Sequence, residues 1–226
     1  MFTLHPHQQE ILDTLPKHDK GIISCPTGGG KTYSMITDSR RFLTPGNVVV
    51  VVAPQLLLCH QLFNEFDKHL SDVNFMFRQI SSEGKTFQRN RKALKFRINP
   101  PKSPTTIVDE IRDTYRIAQK AQLPLVLFVT YDSLERIVSA KIPVSVVYYD
   151  EAHNAVERDH FYAVEGMSRI ADNNYYFTAT PKYTQSRSKT GAGMDNVGVY
   201  GEQIVNVNFK DLVNRGIIVR PVIHLL

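Results

Sequence analysis

Apolar runs alternate with amphipathic stretches along the chain. The runs are short, continuous and rich in β-branched and aromatic residues, which is typical of strands covered on both faces. They predict strands at residues 21–24, 48–53, 73–80, 125–129, 144–149, 175–177 and 204–207. Helical spacing of apolar residues predicts helices at 4–15, 33–42, 57–70, 105–121 (capped by Thr105 or Thr106), 133–140, 161–171 and 209–215. Residues 81–104 and 182–197 show neither pattern and are predicted to be loops.

Strands that alternate with helices predict an α/β fold, with a mostly parallel central sheet and helices on both faces. Ligands of such sheets bind beyond the carboxyl ends of the strands. Polar clusters follow five of the predicted strands directly, namely the segment 25–32, Pro54, Thr130-Tyr131, Asp150-Glu151 and Thr178-Ala179-Thr180. We therefore expect these five clusters to share one edge of the sheet.

A glycine-rich segment joins the first predicted strand to the second predicted helix. Its sequence is Cys25-Pro26-Thr27-Gly28-Gly29-Gly30-Lys31-Thr32. Glycines let backbone N–H groups converge on phosphate oxygens, and the start of a helix adds partial positive charge. Lys31 can reach the β and γ phosphates, and the Thr32 hydroxyl can ligate Mg²⁺. The strict phosphate-loop pattern has glycine in place of Cys25, so a glycine-rich turn followed by a chance Lys-Thr pair is the alternative.

Two adjacent carboxylates end the fifth predicted strand. Asp150 in this position can hold Mg²⁺ against the β and γ phosphates, and Glu151 can orient and polarise an attacking water. An isolated Asp-Glu pair is more often a solvated strand end. The phosphate-loop sequence upstream favours the chemical role here.

The net charge of +5 is unevenly distributed. Between residues 78 and 102, eight lysines and arginines stand against Glu83 alone, so the rest of the chain is slightly acidic. A basic segment on a nearly neutral body indicates a polyanionic partner, although a solvated surface insertion explains a charge run equally well. We predict that Arg89, Arg91, Lys92 and Lys95 contact nucleic-acid phosphates.

Composition favours an intracellular, reducing location. The two cysteines, Cys25 and Cys59, imply no disulfide framework. The first residues carry no signal-peptide pattern, and the longest apolar run, 48–53, is too short to cross a bilayer. We expect a cytoplasmic or nucleoplasmic protein without a membrane partner.

Three segments resemble motifs I, II and III of superfamily-two helicases, in the same order. They are Cys25–Thr32, Asp150-Glu151-Ala152-His153 and Thr178-Ala179-Thr180-Pro181. The segment Leu4-His5-Pro6-His7-Gln8 is similar to the adenine-reading Arg-Pro-Tyr-Gln segment, from which His5 and His7 depart. Residues 53–61 resemble motif Ia, and Val129-Thr130-Tyr131-Asp132-Ser133-Leu134 is similar to the Thr-Tyr-x-Ser-Leu segment that touches the nucleic-acid backbone.

The resemblance implies a first RecA-like domain, similar to those of phage, viral and restriction-associated DNA translocases; a viral or phage origin fits this resemblance. It implies ATP and Mg²⁺ as cofactors. Catalysis would fall to Lys31, Asp150 and Glu151, with Thr32 and Asp150 at the metal. Nucleotide binding would involve Gln8, Pro26, Thr27, Gly28, Gly29, Gly30, Lys31 and Thr32. His153, Thr178 and Thr180 would couple nucleotide state to nucleic-acid binding, and the candidate backbone contacts are Pro54, Gln55, Gln61, Tyr131 and Ser133.

The family works with two RecA-like domains, and the second supplies arginines to the transferring phosphoryl group. None of the arginines after Thr180 lies in a recognisable arginine-finger motif. We therefore expect residues 1–221 to form the first domain, with a basic insertion at about 81–104, and residues 222–226 to begin a linker. A second domain would act in cis or in trans.

Three functions remain open at this point. The first is the ATP-binding motor half of a helicase-type ATPase or translocase that acts on DNA rather than RNA. Its ATPase activity would be weak without a second domain. The second is a module that binds nucleotide and nucleic acid without turnover. The third, a regulatory or kinase-like phosphate-loop enzyme, is disfavoured by the motif at 178–181 and the Thr-Tyr-x-Ser-Leu segment.

Overall fold

A computed structural model describes residues 4–82, 104–184 and 191–219. In this part of the chain the strands are β1 (Lys20–Ser24), β2 (Val48–Ala53), β3 (Met76–Ile80), β4 (Leu125–Thr130), β5 (Val144–Tyr149), β6 (Ala171–Thr178) and β7 (Glu202–Asn206). The α-helices are α1 (Pro6–Thr14), α2 (Lys31–Ser39), α3 (Leu56–His69), α4 (Val108–Lys120), α5 (Leu134–Ala140), α6 (Arg158–Ile170), α7 (Val197–Tyr200) and α8 (Phe209–Asn214). Four single 3₁₀ turns lie at Leu15–Lys17, Arg40–Phe42, Tyr131–Ser133 and Ala152–Asn154.

The strands form one seven-stranded sheet in the order β3-β4-β2-β5-β6-β1-β7. All six pairings between neighbouring strands are parallel. This confirms the predicted α/β fold with a parallel sheet. Because the first strand lies between β6 and β7, the chain doubles back across the sheet, and such a crossing is where ligands of this fold class bind.

Helices cover the sheet on both faces. Alternate valines of β2 point to opposite sides: Val48, Val50 and Val52 join one apolar cluster, and Val49 and Val51 join the other. The first cluster includes side chains of α4, α5, α6 and α7, whereas the second includes side chains of α1, α2, α3 and α8. A strand buried on both faces needs apolar residues at every position, which explains the continuous runs in the sequence.

The carboxyl ends of the central strands meet at one edge, as the sequence predicts. Ser24 at the end of β1 pairs in register with Thr178 at the end of β6. Just beyond the sheet, the Cys25 N–H donates to the Thr178 carbonyl at 2.9 Å, and the Asp150 N–H donates to the Val52 carbonyl at 2.9 Å. These bonds fix the starting points of the polar segments relative to one another.

Several local expectations are corrected by the structure. Arg78 does not belong to the basic segment, because it is buried in β3 and donates to Thr114 and to the Glu110 carboxylate. Neither Thr105 nor Thr106 is the cap of α4; the helix starts at Val108 after the cap residue Ile107, and Thr105 instead bridges Ile80 of β3. Within the predicted loop 182–197, the last residue already begins α7.

The predicted basic insertion leaves the sheet at an edge strand. The Ser81 N–H donates to the Thr105 carbonyl at 3.1 Å, so the two ends of the insertion lie side by side next to β3. Arg89, Arg91, Lys92 and Lys95 fall outside the described residues, and their contacts with nucleic acid stay a prediction.

No α-helix in the described ranges has both the length and the apolar character needed to cross a membrane.

A buried acidic group ties α2 to the sheet. Asp38 is 2% exposed and accepts two hydrogen bonds from Arg41, at 2.7 and 2.9 Å. Tyr148 of β5 donates its hydroxyl to the same carboxylate at 2.6 Å. Burial and the Asp38 charge raise the pKa of Tyr148 well above its usual value, so the phenol stays a neutral donor.

Tyr148→Phe should lower the free energy of unfolding by about 1–3 kcal/mol, because the buried Asp38 charge loses a donor. Tyr149→Phe is the matched control: the next residue on β5 is equally buried, but its hydroxyl reaches a neutral amide oxygen of Asn174 at 3.4 Å. Urea unfolding of both variants measures the difference. Equal losses would show that Asp38 is not the cause.

Candidate active site

The glycine-rich loop has a conformation that side chains would block. Gly28 and Gly30 have φ angles of +80° and +82°, in the left-handed region that favours glycine. A Cβ on Gly29 would lie 2.6 Å from the Cys25 sulfur and 3.0 Å from the Pro26 carbonyl oxygen. Cys25 thus fills space directly beneath the loop, and burial raises the pKa of its thiol to about 11, so it is neutral at physiological pH.

Helix α1 packs its first turn against this loop. His7 donates from Nε2 to the Gly29 carbonyl at 2.7 Å. The Gln8 amide nitrogen lies so close to Gly30 that a Cβ there would be 2.1 Å from it, while Gln8 Oε1 accepts from the His5 N–H at 2.9 Å. Gln8 therefore lies at the phosphate loop, and its role in reading the nucleobase stays a prediction.

Lys31 begins α2 and turns back over the loop. Its side chain is buried; Nζ donates to the Cys25 carbonyl at 3.3 Å and lies 3.5 Å from Glu151 Oε1. Lys31 comes from the β1–α2 loop and Glu151 from the end of β5, so this contact joins motifs 120 residues apart along the chain. It places the cation and the candidate base at the same point of the sheet edge.

Asp150 lies deeper than Glu151. It is 9% exposed, and burial together with the Glu151 charge raises its pKa to about 6, although Lys31 opposes that rise. A cation beside Asp150 would favour the charged carboxylate. Thr32 and Asp150 both line a cleft of about 630 Å³, so a hydroxyl residue and a carboxylate residue border the same space.

The oxygen donors of this cleft fit Mg²⁺. Magnesium in nucleotide sites is held by one or two protein oxygens together with phosphate oxygens and water. Thr32 and Asp150 supply two such oxygens beside the phosphate loop. No cluster of three or more His, Cys, Asp or Glu side chains suited to a metal occurs among the described residues.

Glu151 has a strained backbone. Its φ and ψ of 45° and 52° lie in the left-handed region, which costs a non-glycine residue on the order of 1–3 kcal/mol. Asn154 stabilises this turn by donating Nδ2–H to the Glu151 carbonyl at 2.8 Å. The turn directs the Glu151 carboxylate toward Lys31, at 3.5 Å, and toward His153 Nδ1, at 3.4 Å.

The three predicted coupling residues come together. His153 Nδ1 lies 3.1 Å from the Thr178 hydroxyl oxygen, and this oxygen accepts from the Thr180 N–H at 3.2 Å. Thr178 is fully buried at the end of β6, whereas Thr180 is exposed. A chain of short contacts therefore runs from Glu151 through His153 and Thr178 to Thr180. Its role in coupling stays a prediction.

The candidate nucleic-acid contacts divide between two places. Pro54, Gln55 and Ser133 line one groove of about 380 Å³, which also includes Ser81, Ser82, Thr130 and Asp132. Gln61 does not lie there; it faces the cleft that holds Thr32 and Asp150. Gln61 lies on α3, and its contact with the nucleic-acid backbone stays a prediction.

The side chain of Tyr131 packs inside the fold. It is 2% exposed and donates its hydroxyl to the Asp150 carbonyl at 3.0 Å. Burial is the main reason why its pKa lies well above the usual value, so it remains a neutral donor. Tyr131 therefore supports the backbone of the acidic motif, and its contact with nucleic acid stays a prediction.

His160 and Asn154, which sequence reasoning missed, connect the groove to the acidic motif. His160 of α6 places Nε2 3.0 Å from Asp132 Oδ1 in the groove and donates from Nδ1 to the Asn154 carbonyl at 3.0 Å. Asn154 in turn holds the Glu151 carbonyl. No local pattern could have revealed these contacts, since His160 and Asp132 are 28 residues apart.

Comparisons with known proteins agree with this geometry. The model of the family described as "Type III restriction enzyme, res subunit" matches residues 1–183. Among curated proteins, none matches this chain.

Several solved structures share the fold. The Type ISP restriction-modification enzyme LlaGI, a nuclease-deletion mutant in complex with a DNA substrate mimic, has a TM-score of 0.74 at 24% identity over 95% of this chain and 18% of that chain. LlaBIII of the same type, bound to DNA, has a TM-score of 0.69 at 22% identity, over 95% of this chain and 16% of its own. The UvsW helicase of bacteriophage T4 has a TM-score of 0.56 at 15% identity, over 89% of this chain and 60% of its own.

This chain therefore spans only 16–60% of the chains of these structures. At such identities they show the fold alone. The family model, in contrast, covers well over half of the sequence and includes all three motifs. The chain belongs to the family of the type III restriction enzyme res subunit, and it shares its fold with the restriction enzymes and the helicase described above.

Proposed function

We propose that this domain is the ATP-binding motor half of a nucleic-acid-dependent ATPase that translocates on DNA. The observation that carries the proposal is the convergence of Lys31, Thr32, Asp150 and Glu151 at one sheet edge, beside a glycine loop shaped for phosphate. Each of these side chains has a distinct part in phosphoryl transfer to water.

Nucleotide binding would rearrange the ion pair at the site. Lys31 Nζ contacts Glu151 at 3.5 Å, and the β and γ phosphates of ATP offer Lys31 a more highly charged partner. The exchange frees the Glu151 carboxylate to accept a hydrogen bond from water. Bound Mg²⁺, held by Thr32 and Asp150, would neutralise charge on the β- and γ-phosphate oxygens.

Glu151 then acts as the general base. It accepts a proton from the water as the water oxygen bonds to the γ phosphorus and the bond to the ADP oxygen breaks. Lys31 stays at the phosphates and offsets their charge. The products are ADP, inorganic phosphate and one proton, which leaves from Glu151.

Our candidate for the nucleic-acid backbone is the groove described above, which is lined by Pro54, Gln55, Leu56, Leu57, Ser81, Ser82, Thr130, Asp132 and Ser133. Hydroxyl and amide groups suit contacts with phosphate oxygens, which position a strand without reading its sequence. DNA is favoured over RNA because the two Type ISP enzymes with this fold are solved with DNA or a DNA mimic.

A second RecA-like domain, in cis or in trans, would complete the site. In related phosphoryl-transfer enzymes an arginine from a second unit offsets charge that the nucleotide-binding domain leaves uncovered. Residues 1–221 would form the present domain and residues 222–226 the start of a connection. The alternative function, a module that binds nucleotide and nucleic acid without turnover, is favoured only if no such partner exists.

Glu151→Gln should keep ATP affinity and lose hydrolysis, because an amide preserves the shape of the side chain but cannot accept the proton. Calorimetry with Mg²⁺ and ATP measures binding, and phosphate release measures turnover. The contrasting variant is Lys31→Ala, which should lose tight binding itself. Wild-type turnover in Glu151→Gln would place the base elsewhere.

The isolated chain should hydrolyse ATP very slowly, and DNA should add little, because one face of the nucleotide lacks an arginine. Adding a second RecA-like domain should raise the phosphate-release rate by about 10³- to 10⁵-fold. Glu151→Gln in the same mixture is the control for contaminating ATPases. Strong DNA-stimulated turnover by the chain as a monomer would contradict the need for a second domain.

Changing Arg89, Arg91, Lys92 and Lys95 together to Gln should flatten the salt dependence of oligonucleotide binding. Removing one interaction with a phosphate should reduce the slope by about 0.9 for duplex DNA, or about 0.7 for single strands. The matched control changes four exposed lysines that lie near the amino ends of the strands, namely Lys17, Lys68, Lys120 and Lys141. Fluorescence anisotropy across a salt series measures both slopes, and an unchanged slope would make the basic segment a solvated loop.

A further inference from the structure

His7 makes a contact that neither the sequence motifs nor the proposed chemistry uses. The ring is 5% exposed, on the first turn of α1, and Nε2 lies 2.7 Å from the Gly29 carbonyl oxygen. A carbonyl oxygen can only accept, so Nε2 carries the proton. Nδ1 is buried without a hydrogen-bond partner among the described residues, so the contact with Gly29 is the one polar bond of the ring in this part of the chain.

The peptide unit that His7 holds is one of the two in the loop that join a pair of glycines. It joins Gly29 to Gly30, and a peptide between two glycines can turn over at little steric cost. Its neighbours are fixed by other bonds: the Gly29 N–H donates to the Pro26 carbonyl at 3.0 Å, and the Gly30 carbonyl accepts from the Ser34 N–H at 3.1 Å. Among the described contacts, His7 alone holds the unit between them.

The direction of this carbonyl decides the direction of the next N–H. No peptide bond among the described residues is cis, and in a planar trans peptide the C=O and N–H groups point in opposite directions. With the Gly29 carbonyl turned to α1, the Gly30 N–H points away from α1. A rotated peptide would present an oxygen lone pair to an incoming phosphate in place of an N–H donor, and the carbonyl oxygen and the phosphate would repel each other.

We propose that His7 is a positioning residue for phosphate binding, which holds the Gly29 carbonyl against α1 and so aims the Gly30 N–H at the nucleotide. The proposal rests on the proposed function of the loop. It assigns His7 to the phosphates and not to the nucleobase, although His7 stands beside Gln8 in the segment that resembles an adenine-reading motif.

Two probes separate these roles: Mg²⁺-ATP, and inorganic tripolyphosphate with Mg²⁺, which has no base. His7→Phe keeps an aromatic ring but removes the N–H donor. It should lower the affinity for both probes by a similar factor, about 3- to 10-fold for the loss of one hydrogen bond. His7→Gln retains an N–H donor and should recover part of the affinity. His5→Phe is the matched control, since the exposed His5 ring stacks on His7 at 5.8 Å and no hydrogen bond from this ring to the loop occurs among the described residues.

Isothermal calorimetry gives the affinities, and thermal unfolding reports whether each variant is folded. A lower affinity for ATP alone would overturn the proposal, because His7 would then act on the nucleobase. Unchanged affinity for both probes in folded His7→Phe would also overturn it, as would His7→Gln behaving like a folded His7→Phe. If the wild-type chain bound neither probe, the assignment of the loop to phosphate binding would be wrong, and this proposal would be wrong as well.

Discussion

The register of the parallel strands determines where every chemical group of the site lies. Lys31 follows β1, Glu151 follows β5, and Thr178 ends β6, which pairs with both of those strands. A shift of one residue in any pairing would turn that strand's buried side chains to the wrong face and move its polar end by about 3.3 Å. The 3.5 Å approach of Lys31 to Glu151 depends on this register. The apolar core therefore sets the geometry of the charges.

Charge and backbone strain are concentrated at the same edge. Lys31 and Asp150 are both almost fully buried, and such burial is costly for isolated charges. The Lys31 charge offsets part of the cost for Asp150, whereas burial and the Glu151 charge raise the pKa of Asp150 to about 6. Glu151 lies 3.5 Å from Lys31 and offsets part of the cost for that cation. Glu151 adds an unfavourable left-handed backbone. A site that holds unbalanced charge without nucleotide gains more when phosphate and Mg²⁺ arrive, which is consistent with the proposed ATP-driven function.

Hydrogen bonds from neighbouring side chains to backbone carbonyls support the glycine-rich loop and the acidic motif. His7 holds the Gly29 carbonyl, Tyr131 holds the Asp150 carbonyl, and Asn154 holds the Glu151 carbonyl. Tyr131 and His160 both link the wall of the candidate groove to the acidic motif. These supporting residues fix peptide orientation, and so they can affect binding and catalysis without touching nucleotide or nucleic acid.

The sequence by itself determined the strand order along the chain and the parallel α/β class, and it named the candidate site residues, because apolar runs and the motif at 25–32 are local signals. It also indicated that the polar clusters share an edge. Tertiary structure alone decided which clusters touch. It buried Arg78 and Tyr131, placed Gln61 in the cleft lined by Thr32 and Asp150, and paired His7 with Gly29. These placements depend on how each helix is rotated about its axis and on contacts between residues that are distant in the chain. The spacing of apolar and polar residues along the sequence does not specify either of them.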